Sequence, residues 1–472
     1  MRTLVVGAGP TGLVTAMLLA AEGAEVTVVD RDPGPPESDA AAVWQGWRRP
    51  GVNQFRQTHC LLPGGLRLLR DELPGAVDRL LALGGRQGHN MIAGTWGLPG
   101  LGGRRPEDDR YETVAVRRPV LEAALLAEAE QTPGVTVRRG VRVTGLLTGD
   151  ARTAGSPQVT GVLTQDGESL TADLVVDAGG RNSPVAELLA RIGTAPDEQR
   201  AETGFRYYTR FFRSADGTPG PQPPWPLCHH DSVSVLSAPG DNGTWSVTLV
   251  TSGRDQELRA LTDTGAWQRA LKLYPWFAPL GEAEPLTDVL AMGGTESRRL
   301  RAGVDGRPLV AGIVPVGDAW ATVNPQFGTG MTMGFRHAAL LRDAVRAVGF
   351  DDPADLALRF DRVTETFLAP VWDNFALWDR HRLAEIDAEI RGGTYTSADE
   401  AWNLQAAVEA VRWMDPDVLR GLAEVACLLA TPEEALLKSG LVEKVLALAP
   451  GTPRYAEPGP TRRALLTAVR GV

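Results

Sequence analysis

Six residues near the start of the chain constrain its fold more than any other feature. Gly7-Ala8-Gly9-Pro10-Thr11-Gly12 fits the pattern G-x-G-x-x-G. Residues 3–6 before it and residues 25–30 (EVTVVD) after it are apolar, β-branched runs, which are typical of buried parallel strands. Residues 12–21 between them have the small and apolar residues of a packed helix. The sequence therefore predicts a βαβ unit at the start of the chain.

The spacing of the three glycines predicts a dinucleotide site. The first glycine permits a tight turn, the second lets backbone N–H groups approach a pyrophosphate, and the third lets helix and strand pack closely. Asp30 ends the second strand, where a carboxylate can accept hydrogen bonds from ribose hydroxyls and would repel a 2′-phosphate. A plain glycine turn is the alternative, and the motif alone does not separate FAD from NAD. The residues predicted to bind the dinucleotide here are Gly7, Gly9, Pro10, Thr11, Gly12, Asp30 and Arg31.

Composition limits the class of protein. A chain of 472 residues with 43% hydrophobic and 22% charged residues is expected to form two or three soluble globular domains. The net charge of -10 argues against a nucleic-acid partner or stable membrane insertion. The first strand starts directly after Met1, so we expect no signal peptide, a cytoplasmic protein and free thiols at its three cysteines. Cys228, His229 and His230 are adjacent, but no further ligand spacing supports a metal site, so none is predicted.

A second motif indicates which dinucleotide is bound. Residues 310–321 (VAGIVPVGDAWA) read as a buried strand that ends in Gly317-Asp318, followed by NPQFGTGM at residues 324–331. Gly-Asp after a buried strand is typical of FAD monooxygenases, in which the aspartate binds the ribityl chain of the flavin. A helix that begins near Gly330 would direct its positive end at the pyrimidine side of the flavin ring. A Gly-Asp turn that only caps a helix is the alternative. The residues predicted to contact FAD here are Gly317, Asp318, Pro325, Gly328, Gly330 and Met331.

These motifs resemble the FAD-dependent monooxygenases with the para-hydroxybenzoate hydroxylase fold, over nearly the whole chain. Within them, the chain is most similar to the branch that contains the bacterial polyether flavin epoxidases. Residues 49–61 (RPGVNQFRQTHCL) correspond to a family segment near R-x-G-V-P-Q-x-R-H-x-H-x-L, and residues 324–331 to N-P-x-[YF]-G-Q-G-M, with Thr329 in place of glutamine. A late P-W-x-x-A-x-x-x-D pattern is only loosely matched by Trp372, Ala376 and Asp379. The resemblance implies that Arg49 and Arg118 bind FAD, with Arg117 as an adjacent candidate, and that the backbone of Val143 meets the adenine.

The chain departs from the better-known hydroxylases after the strand that ends near Asp177. Those hydroxylases have an Asp-Gly motif there that serves both FAD and NAD(P)H, whereas this chain reads DAGGRNS at residues 177–183. Gly179 stands where the aspartate would be. The electron donor is therefore left open between NAD(P)H and a partner flavin reductase.

The resemblance implies a fold and a division of the chain. The fold class is α/β: a Rossmann-type FAD-binding domain, an inserted antiparallel-sheet substrate domain and a C-terminal helical region. The FAD-binding domain is expected in three parts, 1–83, 105–200 and 298–352, with an irregular segment at 84–104 near the substrate domain. Alternating residues and a PGDNG turn predict the antiparallel sheet over 201–297, and helical patterns dominate 353–472.

The reaction implied is oxygenation of a mostly apolar small molecule by dioxygen through a flavin C4a-hydroperoxide, as hydroxylation or epoxidation in secondary metabolism. A non-redox FAD-containing cyclase and an FAD-dependent alkene reductase are the alternatives. Flavin halogenases share the fold, but their G-W-x-W-x-I-P signature is absent from the sequence. The catalytic candidates are Tyr207, Arg210 and His59, although aromatic alternation in a strand and a lone histidine are also common in plain protein cores.

Overall fold

The computed structural model describes residues 1–35, 39–153, 156–194, 196–201, 204–294, 296–304 and 307–471. The Pro, Gly and Ser content of residues 32–41 predicts a loop, of which residues 36–38 lie outside the described residues. Residues 202–203, at the predicted start of the antiparallel sheet, also lie outside them.

The strands of the described chain are mostly short. In chain order they are β1 (Arg2–Val6), β2 (Glu25–Asp30), β3 (Arg86–Asn90), β4 (Glu112–Ala115), β5 (Val135–Arg139), β6 (Val143–Thr153), β7 (Ser156–Thr164), β8 (Ser169–Thr171), β9 (Leu174–Asp177), β10 (Asp197–Ala201), β11 (Phe205–Arg213), β12 (Leu227–His229), β13 (Val233–Pro239), β14 (Thr244–Ser252), β15 (Glu284–Pro285), β16 (Leu290–Met292), β17 (Ser297–Arg301), β18 (Gly303–Val304), β19 (Arg307–Pro308), β20 (Ile313–Pro315) and β21 (Ala321–Thr322).

The helices are concentrated in the C-terminal third. In chain order they are α1 (Pro10–Ala21), α2 (Ala40–Gly46), α3 (Pro63–Glu72), α4 (Pro74–Ala82), α5 (Arg118–Ala129), α6 (Val185–Arg191), α7 (Thr264–Leu271), α8 (Gly330–Val348), α9 (Pro353–Phe367), α10 (Ala369–Ile390), α11 (Glu400–Val411), α12 (Pro416–Ala426), α13 (Leu441–Leu448) and α14 (Arg462–Arg470). Short 3-10 turns include Gly317–Ala319 and Pro325–Phe327, and one π turn spans Glu433–Leu437.

A parallel sheet forms the centre of the first domain, with the strand order β20-β9-β1-β2-β5. Val5 on β1 lies opposite Val28 on β2 and Val176 on β9, and all three are fully buried. Helix α1 packs between this sheet and helices α5 and α8, which explains why it is apolar on nearly every side. The carboxyl ends of β1, β9 and β20 meet at one edge of the sheet, where a parallel α/β sheet places its ligand site.

The second domain is built on a six-stranded antiparallel sheet. Strands β12, β13, β14, β11 and β15 follow one another in this order, and β16 also pairs with β11. The predicted hairpin turn at residues 239–243 joins β13 to β14, with Asn242 (φ 51°) and Gly243 (φ 66°) in the left-handed region that such turns use. Helices α12 and α14 pack on the same hydrophobic core as this sheet, through Leu419, Ala423 and Leu465 among others. The predicted fold class is confirmed.

Two local predictions differ from the structure. The helical pattern of residues 65–83 predicts one helix, but the structure has two, α3 and α4, because Pro74 removes a backbone donor and disfavours helical backbone at Leu73 (φ -138°, ψ 58°). The segment expected to be irregular at 84–104 contains strand β3, which pairs with β4. No helix in the described part of the chain combines the length and apolarity needed to cross a bilayer.

Candidate active site

The glycine turn after β1 is shaped by close backbone packing. Gly7 has φ 110°, and a methyl group on it would lie 2.4 Å from the carbonyl oxygen of Ala178. A methyl group on Gly12 would lie only 1.9 Å from the carbonyl oxygen of Gly7. Gly9 is different, because a methyl group there would meet no protein atom within 4 Å. Gly9 is also the N-cap of α1 and makes no side-chain cap, so the helix N-terminus faces open space.

That open space belongs to a cavity of about 350 Å³ at the carboxyl edge of the parallel sheet. Its volume lies within the range of small-molecule and cofactor sites. Most residues predicted to bind the cofactor or to act in catalysis line this cavity: Gly7, Gly9, Pro10, Thr11, Asp30, Arg49, His59, Arg118, Tyr207, Asp318, Pro325, Gly328, Gly330 and Met331. We call this space the cofactor cavity.

Five predicted residues do not line the cofactor cavity. Gly12 and Gly317 shape the turns beside it, and a side chain on Gly317 (φ 62°) would meet Thr11 at 2.9 Å. Val143 is buried in the core between the parallel sheet and β6–β7. Arg31 is exposed and directs its guanidinium towards the carbonyl oxygen of Gly51 at 3.3 Å.

Arg210 is the fifth, and its position corrects the expectation that it is a catalytic candidate near the flavin. Successive side chains of a strand point to opposite faces, so residues 207 and 210 of β11 face opposite sides of the sheet. Arg210 donates to Gln268 Oε1 at 3.0 Å and lies over the ring of Trp267 at 5.3 Å. It belongs to the packing between the sheet and α7, away from the cofactor cavity.

Arg49 is the centre of a buried ion network. Its guanidinium donates to Asp30 Oδ2 at 2.6 Å and also pairs with Glu122 and Asp32. Glu122 is fully buried and binds Arg118 as well, at 2.6 Å. Burial alone would raise the pKa of Glu122, but the charges of Arg49 and Arg118 outweigh it and hold the pKa below its usual value. This carboxylate therefore fixes two arginines that line the cavity.

The structure separates the two adjacent arginine candidates. Arg118 lines the cofactor cavity, and its Nη1 lies 2.9 Å from His59 Nε2. Arg117 points away, where both its backbone and its guanidinium donate to Asp241 in the hairpin turn between β13 and β14. Arg117 thus ties the first domain to the antiparallel sheet, whereas Arg118 belongs to the site.

His59 has both ring nitrogens engaged. Nδ1 lies 2.9 Å from the carbonyl oxygen of Gln57, and Nε2 faces the Arg118 guanidinium, which can only donate. Burial, and then the charge of Arg118, lower the pKa of His59 to about 3. The ring is therefore neutral, with its proton on Nδ1.

A polar strip on the antiparallel sheet holds the segment that carries His59. Thr209 donates to Gln57 Oε1 at 2.8 Å, and Thr58 Oγ1 lies 2.6 Å from Thr248 Oγ1. Sequence reasoning missed this contact, since Thr248 is 190 residues from Thr58 and Thr58 stands at an unspecified position of the family segment at residues 49–61.

The second motif, Gly317-Asp318, forms a turn that is stabilised by a histidine of α8. Gly317 donates its backbone N–H to Nδ1 of His337, whose Nε2 lies 3.0 Å from Thr364 Oγ1. Asp318 projects into the cofactor cavity, and burial raises its pKa despite the nearby Arg118 and Arg181. Helix α8 begins at Gly330, as predicted, with no side-chain cap at its N-terminus. No motif in the sequence predicted that His337 contacts this turn.

The segment after β9 contains Gly179, which stands where the better-known hydroxylases have an aspartate. Asp177 accepts hydrogen bonds from the backbone of Gly179 at 3.0 Å and from Ser183 Oγ at 2.7 Å. A side chain at position 179 would begin 3.0 Å from Ser183 Oγ and 3.1 Å from Asp177 Oδ1. Burial raises the pKa of Asp177 to about 6. This turn has little room for an aspartate at 179.

A second cavity of about 320 Å³ adjoins the first. Its walls come from the antiparallel sheet, the loop at residues 325–329 and the helices α10, α11 and α12, and they are mostly apolar. The two cavities share the wall residues Thr58, His59, Leu236, Pro325 and Gly328. We call this second space the apolar cavity.

The loop between the two cavities is anchored by buried hydrogen bonds. Tyr207 donates its hydroxyl to Asn324 Oδ1 at 2.5 Å, and Asn324 donates from Nδ2 to Asp379 Oδ1. Asn324 Oδ1 also accepts from the backbone of Gln326 and so caps the turn Pro325–Phe327. Tyr207 therefore has a positioning contact with the loop as well as a place in the cavity wall.

The donor set of the cofactor cavity and the open space at Gly9 fit FAD. Two uncapped helix N-termini, of α1 and α8, face it, and the space in front of Gly9 is clear of protein atoms. Asp30 lines it and uses three of its acceptor sites for Ala8, Asp32 and Arg49, out of about four on a carboxylate. Within the described residues, no cluster of three or more histidine, cysteine or acidic side chains is arranged to bind a metal.

Two comparisons relate this chain to known proteins. Residues 2–94, which include the glycine turn, Asp30 and Arg49, match the family described as FAD dependent oxidoreductase. Protein Rv3254 of Mycobacterium tuberculosis is 30% identical over 412 residues, which cover 81% of this chain and 82% of that protein.

Solved structures share the fold at low identity. PqsL, a probable FAD-dependent monooxygenase from Pseudomonas aeruginosa, superposes with a TM-score of 0.59 at 19% identity, over 83% of this chain and 98% of PqsL. A triple mutant of the flavin-dependent brominase Bmp2 gives 0.59 at 16% identity, over 94% of this chain and 99% of that one. One fold thus carries more than one flavin chemistry, so the reaction has to be argued from the site. The chain belongs to one family with Protein Rv3254 and is an FAD-dependent oxidoreductase.

Proposed function

We propose that this oxidoreductase is a monooxygenase that hydroxylates or epoxidises a mostly apolar small molecule. One observation carries the proposal: an apolar cavity shares a wall with the cofactor cavity at His59, Pro325 and Gly328. A substrate in the apolar cavity would thus lie next to the cofactor, beside these shared residues. FAD, when bound and reduced, supplies the electrons that activate dioxygen.

The residues around the wall would position both molecules and exclude water. Asp318, Arg118 and the N-termini of α1 and α8 would hold FAD, and the loop anchored by Asn324 would border both FAD and the substrate where they meet. His59 has no free nitrogen, so it would act as a positioning residue between Arg118 and the apolar cavity. The general base that assists phenol hydroxylation is therefore not supplied by His59, which favours a substrate that needs none, such as an alkene or an already activated ring.

The predicted place of the reaction in secondary metabolism remains part of the proposal. It is supported by the resemblance of residues 49–61 and 324–331 to the polyether flavin epoxidases. Gly179 stands in place of the aspartate that serves NAD(P)H in the better-known hydroxylases, which supports electron supply by a separate flavin reductase over direct reduction by NAD(P)H. Mixing the FAD-loaded protein with NADH or NADPH under anaerobic conditions tests this: rapid bleaching of the flavin absorbance at a near-neutral pH would exclude the need for a reductase.

The reaction class is tested by following labelled oxygen. The flavin is photoreduced anaerobically in the presence of candidate alkenes and activated arenes, ¹⁸O₂ is admitted, and products are analysed by mass spectrometry. A monooxygenase gives products that carry one ¹⁸O atom and that require the reduced flavin. Product formed by oxidised flavin without dioxygen would show a non-redox cyclase, and unlabelled saturated product formed anaerobically would show an alkene reductase. Either of these outcomes would contradict the proposal.

A further inference from the structure

The exposed residues of the apolar cavity wall lie on one group of neighbouring elements. They are Ala401 at the start of α11, Ala426 at the end of α12, Pro432 just before the π turn and Leu437 at its end, and the rest of the described wall is buried or half-buried. Leu437 is 56% exposed although it lines the cavity. Residues that line a cavity and also contact solvent lie where the cavity opens. We call this place the apolar mouth.

The elements around the apolar mouth pack on one another. Leu404 of α11 and Leu436 of the π turn belong to one hydrophobic cluster, together with Val418 of α12 and Val445 of α13. Leu404 and Leu436 also line the apolar cavity. The passage from the mouth into the cavity is therefore bordered by apolar side chains.

The cofactor cavity meets solvent elsewhere. Its exposed wall residues within the described chain are Asn53, Asn182, Gly293 and Gly294, and none of these four lines the apolar cavity. The segments that carry them are joined, because Asn182 Nδ2 donates to the carbonyl oxygen of Gly51 at 3.4 Å and Arg181 donates to that of Gly294. We call this place the cofactor opening. The two cavities thus touch inside the protein but open to solvent on different elements.

The wall of the apolar cavity offers no positive charge to a ligand. Among the described wall residues none is lysine or arginine, and Glu409, the one acidic residue, is paired with Arg412. Burial lowers the pKa of His59 to about 3, that of His89 to about 4 and that of His229 well below its usual value, so these rings are neutral. An anionic ligand would lose its hydration here and gain no counter-charge from these residues.

We propose that an uncharged, apolar substrate enters the apolar cavity through the apolar mouth while FAD stays bound behind the cofactor opening. The residues that the two cavities share, such as His59 and Gly328, are not exposed, so the substrate reaches the cofactor from inside the protein. This rests on the proposed function in taking the apolar cavity as the place where the substrate binds. It goes further by naming the route of entry and by excluding anionic substrates.

Two probes of one ring system test the charge and the independence from FAD. PRODAN is an uncharged naphthyl ketone, and its matched anion carries a carboxylate in place of the propionyl group. Isothermal titration of the FAD-loaded, oxidised protein should show PRODAN binding about 10-fold more tightly than the anion, with the flavin retained. Binding of the anion as tight as that of PRODAN, or release of flavin as PRODAN binds, would overturn the proposal.

Variants at the apolar mouth test the route. Leu437→Trp and Ala401→Trp add bulk at exposed positions of two different elements, so each should slow both the association and the dissociation of PRODAN by about 5-fold, with little change in affinity. Stopped-flow fluorescence of the FAD-loaded protein measures both rates. Leu446→Trp is the matched control, because Leu446 is 58% exposed on the neighbouring α13 and lines neither cavity.

A variant at the other opening completes the comparison. Asn53→Trp adds bulk at the cofactor opening and should leave both PRODAN rates of the FAD-loaded protein unchanged. Unchanged rates in both mouth variants, or equal slowing by Asn53→Trp, would overturn the proposed route. Because these measurements need no turnover, they can fail while labelled oxygen is incorporated, and they can succeed while it is not.

Discussion

Asn324 donates a hydrogen bond from Nδ2 to Asp379 Oδ1 at 2.5 Å, and both side chains are fully buried. The contact joins α10 to the loop between the two cavities, and Tyr207 extends it to the antiparallel sheet. Burial raises the pKa of Asp379 well above its usual value, which favours the neutral carboxyl as the group that Asn324 meets. We therefore predict that the anchor depends on a hydrogen-bond acceptor and not on a charge.

Substitutions of Asp379 should show whether the anchor needs its hydrogen-bond acceptor or its charge. Asp379→Asn keeps an acceptor oxygen and should cost less than about 1 kcal/mol of unfolding free energy. Asp379→Leu leaves the Asn324 amide unpaired and should cost about 1–3 kcal/mol and weaken FAD retention. Urea denaturation and the flavin content after gel filtration measure both effects. The neutral-carboxyl interpretation is wrong if Asp379→Asn is as damaging as Asp379→Leu.

Alanine substitutions of Gly12 and Gly9 should impair the protein for different reasons. Gly12→Ala places a methyl group 1.9 Å from a backbone oxygen and should prevent correct folding. Gly9→Ala meets no protein atom and has an allowed backbone conformation (φ -80°, ψ 178°), so it should fold and bind FAD at least 10-fold more weakly. Circular dichroism and flavin titration separate the two cases. Gly97→Ala, which also meets nothing within 4 Å, is the control, and an unchanged FAD affinity in Gly9→Ala would contradict this account.

Features set by local pattern could be predicted from the sequence. Strand β2 (Glu25–Asp30) has the predicted bounds, and α8 begins at the predicted Gly330, because alternation, glycine spacing and caps are properties of neighbouring residues. The same is true of the Gly317-Asp318 turn, although the contact that holds it, with His337, lies 20 residues away on the helix.

Features set by distant contacts could not be predicted. Arg117 binds Asp241, which lies 124 residues away in the sequence, and so belongs to the domain interface and not to the site. Arg118 has no such contact with Asp241 and lines the cofactor cavity. The apolar cavity combines residues of β13, the loop at 325–329 and α12, which no periodicity in one segment indicates. Arg210 was misplaced for a simpler reason, since the parity of strand positions already put it on the face opposite Tyr207.

Glu122 should be among the most sensitive charged residues of the chain. Glu122→Gln would leave the buried Arg49 and Arg118 with less compensating charge, at a cost of about 3 kcal/mol. Added FAD should recover part of this loss, because a pyrophosphate would bring negative charge to the same cavity. Chemical denaturation with and without FAD measures the loss of unfolding free energy and its recovery.

The matched control for Glu122 is a surface pair of the same type. Glu187 and Arg191 are 71% and 62% exposed and lie four residues apart on α6. Glu187→Gln should change the unfolding free energy by less than about 1 kcal/mol. Similar losses for the two variants would mean that the Arg49 network contributes little.

Stability should fall in mild acid, in part through His337. Burial lowers its pKa from 6.5 to about 3 in the folded protein, so the unfolded chain binds the extra proton between these values and stability is lost as the pH falls through that window. From pH 7 to pH 5, the loss from this one ring is about 1–2 kcal/mol. Asp177, whose pKa is raised to about 6, acts in the opposite direction, so the difference between wild type and His337→Gln isolates the histidine. Urea denaturation at both pH values should show a smaller loss in His337→Gln than in wild type, whereas equal losses would show that His337 is not the neutral acceptor that holds Gly317.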